Sequence, residues 1–198
     1  MPTLRAFVGV PVDAAVAARM CAVRDEIAVG TVRWIPAENL HLTLKFLGDV
    51  EEAQVSSIRA AVRDALTENT RFLVTAKGLG VFPDSRRPRV LWVGLASPEL
   101  ARLAGQVERA LEPLGFERAA APFRPHVTIG RWRRPESGGD RLRGELARWR
   151  DHEFGEFRID AATLFRSTLR PAGAVYDLLE IFPLDAAATP RTVAGIQR

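Results

Sequence analysis

The chain has 198 residues, of which 47% are hydrophobic and 26% charged, and a formal net charge of +4. This length suits one domain, or two small lobes that share a cleft. No apolar run approaches the ~18 residues of a membrane span, the N-terminus lacks a secretory hydrophobic region, and the one cysteine, Cys21, excludes an intrachain disulfide. We therefore expect a cytoplasmic protein without membrane attachment. The excess of cationic side chains permits an anionic partner. It does not demonstrate one, because only two of the 28 cationic residues are lysines, and codon composition alone can produce such an arginine bias.

The first half of the sequence predicts three strands that alternate with two helices. Asp13 is a suitable N-cap for the first helix, Gly30 stops the chain after it, and Gly48 closes the second strand. The predicted strands cover residues 4–10, 40–47 and 72–82, and the predicted helices cover residues 13–28 and 51–66.

The second half repeats this order and adds a hairpin. Ser97 and Pro98 open a helix that ends near Gly115, because serine caps and proline at the first helical position are both favoured there. We predict a single domain over residues 1–185 and a loose tail over 186–198, where no periodic pattern remains. The other predicted elements are strands at 90–95 and 126–131, a loop at 135–140, a helix at 141–150, and strands at 157–165 and 175–182 joined around 171–173.

A weak internal sequence repeat relates the two halves at one ungapped offset. The segments at 7–10 and 92–95 are similar, as are those at 41–44 and 126–129, and both pairs are 85 residues apart. Gly30 and Phe72 match Gly115 and Phe157 by the same shift. We interpret this as a duplication that produces two βαβαβ-like halves. Duplicated halves that pack about a pseudo-twofold axis would bring the segments at 41–44 and 126–129 together.

Those two segments each carry a His-x-Thr motif on a predicted strand. Residues i and i+2 of a strand share a face, so His41 and Thr43 point one way, and His126 and Thr128 do likewise. Imidazole acts as an acid or a base near neutral pH, and threonine hydroxyls can donate hydrogen bonds to phosphate oxygens. The pattern favours phosphodiester chemistry.

Two further residues occupy equivalent positions five residues after each histidine. Arg131 is the nearest arginine that could neutralise a phosphate, although it is one position out of phase with the His-x-Thr face and would have to reach in from the strand end, with or without a bulge. Phe46 is its counterpart and a candidate for stacking on a base or ribose. An aromatic residue at a strand end is equally often part of a core.

The longer strings HLTLKFLG (41–48) and FRPHVTIGR (123–131) resemble the two-histidine phosphoesterases, and within them the LigT-like RNA 2′,3′-cyclic phosphodiesterases. A single His-x-Thr has little value, whereas two with these flanks are specific. The resemblance covers about residues 4–184. Gly130 departs from it, because the family often has a larger residue there.

This resemblance implies an α+β fold that is bilobal, with two pseudo-symmetric halves, antiparallel sheets lining a central cleft, helices outside and no metal or other cofactor. It implies a reaction that opens a ribose 2′,3′-cyclic phosphate to a 2′-phosphate. His126 would be the general base and His41 the general acid, an order that rests on the resemblance alone. By the same resemblance, Thr43 and Thr128 would hold phosphate oxygens, and Arg131 would stabilise negative charge.

Several alternatives stay open at this stage. The same site could act on a cyclic nucleotide, a 2′,5′-linked RNA or an ADP-ribose cyclic phosphate, could run in reverse as a ligase, or could bind RNA ends without turnover. The expected partners are RNA ends or nucleotides with a 2′,3′-cyclic phosphate, and we expect a monomer. A zinc site is disfavoured, because two imidazoles with no adjacent Cys, Asp or Glu are too few ligands. We interpret Cys21 as a core thiol and the following as surface residues: Arg86, Arg87, Arg124, Arg133, Arg134 and His152.

Overall fold

The computed structural model describes residues 2–133, 139–171 and 173–185, and within these ranges the chain forms nine strands and four α-helices. The predicted tail at 186–198 and Arg134 lie outside the described residues. The strands are β1 (Thr3–Pro11), β2 (Val32–Trp34), β3 (His41–Glu51), β4 (Phe72–Phe82), β5 (Val90–Ala96), β6 (His126–Trp132), β7 (Glu153–Ile159), β8 (Ala161–Arg170) and β9 (Gly173–Pro183). The helices are α1 (Ala14–Ala22), α2 (Val55–Leu66), α3 (Pro98–Leu111) and α4 (Gly139–Arg148).

The strands build one antiparallel sheet in the order β7-β4-β5-β6-β3-β1-β8-β9, and β2 pairs with the end of β6 that β3 does not reach. In its centre, β3 and β6 pair through Leu42 and Val127. On either side, β1 lies next to β3 and β5 lies next to β6. This arrangement of helices and an antiparallel sheet confirms the predicted α+β class.

The sheet is arranged symmetrically about the β3–β6 contact. Strands β1 and β5, which the internal repeat relates, occupy equivalent places in the two halves. The strand that follows α2 in the chain, β4, lies beside β5, whereas β8 lies beside β1. Each half therefore contains strands from distant parts of the sequence. The duplication itself remains a prediction.

The helices pack on one face of the sheet. Leu42 and Val127 belong to the same buried core as the apolar stripes of α2 and α3, such as Ile58 and Leu103. Burying each side chain of this size contributes roughly 1.5–3 kcal/mol. Because side chains alternate along a strand, the His-x-Thr residues point to the opposite face, where all four are half-buried. None of the helices in the described ranges is long and apolar enough to cross a membrane.

Most predicted elements are present, and five differ in detail. The second helix was predicted from residue 51 but begins at Val55, after a 3₁₀ turn over Glu52–Gln54. The first helix ends at Ala22 and continues as a short 3₁₀ turn, so its prediction to residue 28 was wrong. Gly48 does not close its strand: it adopts a φ of +70° inside β3, which runs on to Glu51. The strand predicted at 157–165 is two strands, separated at Asp160. Helix α4 begins at Gly139, inside the predicted loop, whose residues 135–138 lie outside the described ranges.

Candidate active site

The two His-x-Thr motifs lie side by side at the centre of the sheet. His41 and His126 are the first residues of β3 and β6, and the antiparallel Leu42–Val127 pair fixes the register between these strands. In this register each histidine lies opposite the threonine of the other motif, on the face away from the helices. The two histidines are then diagonal neighbours on adjacent strands, and the Cα atoms of such a pair are roughly 7–8 Å apart. Two imidazoles and two hydroxyls thus share one small area.

Each imidazole is held by a backbone carbonyl two residues earlier in the chain. His41 Nδ1 lies 2.7 Å from the Asn39 oxygen, and His126 Nδ1 lies 2.6 Å from the Arg124 oxygen. A carbonyl oxygen only accepts hydrogen bonds, so each Nδ1 carries the proton and donates it. In the neutral ring, Nε2 is then the basic nitrogen. Both histidines are therefore prepared in the tautomer that can accept a proton at Nε2.

The environment lowers the pKa of both histidines. Burial is the largest cause for each, because it disfavours the charged ring. The carbonyl hydrogen bonds act in the opposite direction, and the positive charge of Arg131 lowers both pKa values further. His126 also lowers the pKa of His41. Without a bound anion, the site therefore favours neutral imidazoles, and a bound phosphate would favour protonation.

A bulge in each motif strand brings the residue at the fifth position onto the His-x-Thr face. Between β5 and β6, Trp92 pairs with Thr128 and Val90 with Arg131, so Ile129 is an extra residue. Because Trp92 and Val90 share a face, Thr128 and Arg131 share one too. This bulge supplies the change of phase that the sequence required for Arg131.

The equivalent bulge in β3 lies at Leu44, again 85 residues earlier. Gly9 pairs with Thr43 and Phe7 with Phe46, so Phe46 lies on the same face as the motif. Its ring is 5.9 Å from that of Phe7, and 60% of the residue is exposed. The structure therefore places both Arg131 and Phe46 at the site, one in each half.

The same bulge turns Lys45 toward the helices. Lys45 is 7% exposed, and its Nζ donates to Glu108 Oε2 on α3 at 2.8 Å and to the Glu117 carbonyl oxygen. Glu108 Oε2 also accepts from the Ala119 backbone N–H at 3.2 Å. This brace ties β3 to the segment that leads into His126.

Aromatic rings surround both histidines, and the sequence did not single them out. On the His41 side, the rings of Phe7, Tyr176 and Phe165 lie 4.6, 5.0 and 6.4 Å from the imidazole. On the His126 side, the rings of Phe82 and Trp92 lie 4.9 and 6.1 Å away. Phe7 and Trp92 are 85 residues apart and begin a pair of matched segments, so the internal repeat could have indicated these two residues.

Gly130 has a structural reason for its small size. It pairs with Trp34 of β2, and a Cβ at this position would lie 2.4 Å from Val32 Cγ1. The missing side chain lets β2 pack along β6 beyond the Leu42–Val127 contact. The glycine therefore accommodates the short strand β2 and leaves the motif in place.

The remaining candidates lie outside this cluster. His152 is exposed and its ring contacts those of Trp149 and Phe154. Cys21 is half-buried beside a separate cavity of about 500 Å³, and burial raises its pKa. In the part of the chain that the structure describes, no three His, Cys, Asp or Glu side chains form a group suited to a metal ion. The predicted surface arginines within these ranges are exposed: Arg86, Arg87, Arg124 and Arg133.

Comparisons with known proteins agree with one another. Residues 12–170 match the profile of the 2'-5' RNA ligase superfamily. An RNA 2',3'-cyclic phosphodiesterase of Methanothermobacter thermautotrophicus is 35% identical over 184 residues, covering 91% of this chain and 99% of that protein. A protein of known structure from Thermus thermophilus is 27% identical, with a TM-score of 0.79 over 93% of this chain and 100% of that one. Escherichia coli LigT complexed with 3'-AMP has the same fold, with a TM-score of 0.73 at 22% identity over 92% and 99%.

Proposed function

The chain belongs to the 2'-5' RNA ligase superfamily, and from this premise we propose that it hydrolyses RNA 2′,3′-cyclic phosphate ends to 2′-phosphomonoesters without a metal. The observation that carries the proposal is the pair of imidazoles on one face of adjacent strands, each with its Nδ1 proton donated to a carbonyl. The phosphodiesterase of M. thermautotrophicus, similar over nearly its whole length, supports the substrate class.

In this proposal the two histidines exchange protons with opposite sides of the phosphorus. His126 Nε2 takes a proton from water, whose oxygen attacks phosphorus. The bond from phosphorus to the ribose 3′ oxygen breaks, and His41, which the bound phosphate keeps protonated at Nε2, delivers that proton to the leaving oxygen. One water is consumed, and the 2′-phosphate remains. His126 is the less enclosed of the two rings, which supports its role beside water.

The neighbouring groups would stabilise the charge that develops on the phosphate. The hydroxyl groups of Thr43 and Thr128 have no hydrogen-bonding partner within the described ranges and can donate to nonbridging oxygens. Arg131, whose charge reaches both imidazoles, would neutralise the anion. Phe46 offers an exposed face on which a base or ribose can stack. The substrate would thus bind with its phosphate at the centre and its nucleoside along β3.

Ligation is the second candidate, because the superfamily name refers to it. If a 5′-hydroxyl of RNA replaced the attacking water, acid and base would serve the new bond without any change in geometry. Other phosphodiesters, including cyclic nucleotides, 2′,5′-linked RNA and ADP-ribose cyclic phosphate, would fit the same pair of histidines. The proposal also includes a monomeric protein in the cytoplasm, which light scattering and cell fractionation test.

The test is incubation of the protein with an RNA oligonucleotide that ends in a 2′,3′-cyclic phosphate, in the presence of EDTA. We expect a 2′-phosphate end, identified by chromatography against 2′- and 3′-phosphate standards. An intact cyclic phosphate or a 3′-phosphate product would contradict the proposal. Activity that appears only when EDTA is omitted would contradict its metal-free part. A parallel panel of the other phosphodiesters ranks the substrates by kcat/KM.

A further inference from the structure

Tyr176 is the one tyrosine of the sequence, and it lies against His41. It belongs to β9, where it pairs with Ser167 of β8. Its ring is 5.0 Å from the His41 ring at an interplanar angle of 85°, and 5.1 Å from the Phe7 ring at 77°. Both contacts are edge-to-face, a favourable geometry for aromatic pairs. The ring is thus a wall of the site on the His41 side.

The half that contains His126 offers no equivalent of this residue within the described ranges. There the edge-to-face contact comes from Phe82, which carries no polar side-chain atom. The outermost strand of that half, β7, pairs with the part of β4 from Phe72 to Lys77 and does not reach Phe82. In the other half, β9 pairs with β8 along its whole length, up to the hairpin. This extra length places a phenol beside one histidine only.

The Tyr176 hydroxyl lies in a positively charged part of the site. Burial raises the pKa of this phenol, while the charges of Arg131 and Arg5 lower it. Arg131 lowers the pKa of both imidazoles as well, so the charge of one guanidinium acts on all three groups. Arg5 shares the face of Phe7, two residues away on β1. Within the described ranges, no side chain or backbone group hydrogen-bonds to the Tyr176 hydroxyl.

We propose that the Tyr176 hydroxyl is a substrate-binding group that donates a hydrogen bond to a phosphate oxygen on the His41 side. A neutral phenol is a good donor, and a phosphate oxygen supplies the acceptor that the protein itself does not. At the same time, the Tyr176 ring holds the His41 imidazole in an edge-to-face contact. The inference rests on the proposed function for its substrate, although any ligand with a phosphate at this place would make the same contact.

The variant Tyr176→Phe isolates the hydroxyl, because it keeps the ring and both edge-to-face contacts. The matched control is Thr168→Val, which removes a hydroxyl from the adjacent pair of the same hairpin, where Thr168 pairs with Val175. Alternation places Thr168 on the other face of β8 from Ser167. Hydrogen bonds to charged groups contribute about 1.5–3 kcal/mol, so we expect Tyr176→Phe to lower kcat/KM roughly 10- to 100-fold. Thr168→Val should stay within about twofold of the wild type.

Two measurements separate this inference from the proposed function. The first is kcat/KM on the cyclic phosphate oligonucleotide, and the second is the dissociation constant for inorganic phosphate, read by ³¹P NMR. If the wild type binds phosphate at least tenfold more tightly than Tyr176→Phe, the contact stands even when no oligonucleotide is cleaved. If the wild type cleaves the oligonucleotide and Tyr176→Phe matches it in both measurements, the hydroxyl makes no such contact and the inference is wrong.

Discussion

The His41 half and the His126 half of the sheet hold their histidines by the same backbone devices. In each half a carbonyl two residues upstream accepts the Nδ1 proton. A bulge three residues downstream, at Leu44 or Ile129, turns the fifth residue onto the motif face. The surroundings differ: a phenylalanine stands at the fifth position in one half and an arginine in the other. The two halves therefore hold the imidazole in the same way, and they differ in the side chain that can contact a ligand.

This difference shows which part of the site is set by strand geometry and which by side chains. The tautomer of each imidazole depends on a main-chain oxygen, so most substitutions nearby leave it unchanged. At the fifth position, the charge depends on Arg131 and the stacking surface on Phe46, and each side chain can be changed without moving a strand. The predictions below test whether the halves have separate tasks.

The largest effect is expected from removal of either histidine. His41→Ala and His126→Ala should each lower kcat at least 100-fold, and up to about 10,000-fold, because each removes a general acid or base. The control is His152→Ala, which removes the exposed third histidine near Trp149. Circular dichroism and thermal melting establish that each variant is folded. If one histidine variant kept more than a tenth of the wild-type rate, the two halves would not act as an acid–base pair.

A smaller loss is expected for Arg131→Met, about 100- to 1,000-fold in kcat/KM, because the transition state loses its cationic partner. The pH profile provides an independent measurement. Burial and then Arg131 lower the pKa of both histidines, so loss of the guanidinium raises both pKa values. Both limbs of the bell-shaped profile of kcat/KM should move to higher pH. The exposed Arg133, just beyond β6, gives the matched control Arg133→Met, and an unchanged profile in Arg131→Met would contradict the assignment.

The smallest effect is expected for Phe46→Ala, in the other half. Stacking on one base contributes about 1–3 kcal/mol, so KM for an oligonucleotide should rise roughly fivefold or more while kcat changes less than twofold. Binding of inorganic phosphate should not change. Leu73 on β4, exposed to a similar extent, supplies the control Leu73→Ala. A fall in kcat instead of a rise in KM would place Phe46 with the catalytic groups and remove the distinction between the halves.

The fold could be predicted where the sequence marks both ends of an element. Strand β4 was predicted with its observed bounds, and α3 starts after its Ser97 cap with Pro98 in the first turn. Strand β2 was missed because three residues show no period, and it exists through pairing with β6. The division between β7 and β8 was missed because Asp160 is neither glycine nor proline. These errors concern elements that tertiary pairing defines.

The candidate site was predicted at the level of residue types, and its surroundings were not. The two His-x-Thr motifs and the phase mismatch of Arg131 follow from strand periodicity, whereas the bulge that corrects the mismatch is seen only in the pairing of β5 with β6. The walls of Phe165 and Tyr176 come from a hairpin more than 35 residues beyond His126, and an aromatic residue in a strand ordinarily indicates core packing. Their proximity depends on β8 pairing with β1, a contact between distant parts of the chain that periodicity does not encode.

Gly9 and Gly94, again 85 residues apart, lie beside the motifs and carry no side chain: Gly9 pairs with Thr43, and Gly94 pairs with His126. A methyl group on Gly9 would stand 2.7 Å from the Leu42 carbonyl oxygen, and one on Gly94 would stand 2.7 Å from that of Lys77. Ligand preference can therefore be retuned by exchanging aromatic or charged neighbours, since those changes leave the strands in place. Gly9 cannot be exchanged in this way, because even alanine at position 9 would push against the Leu42 carbonyl, at the strand junction on which both imidazoles depend.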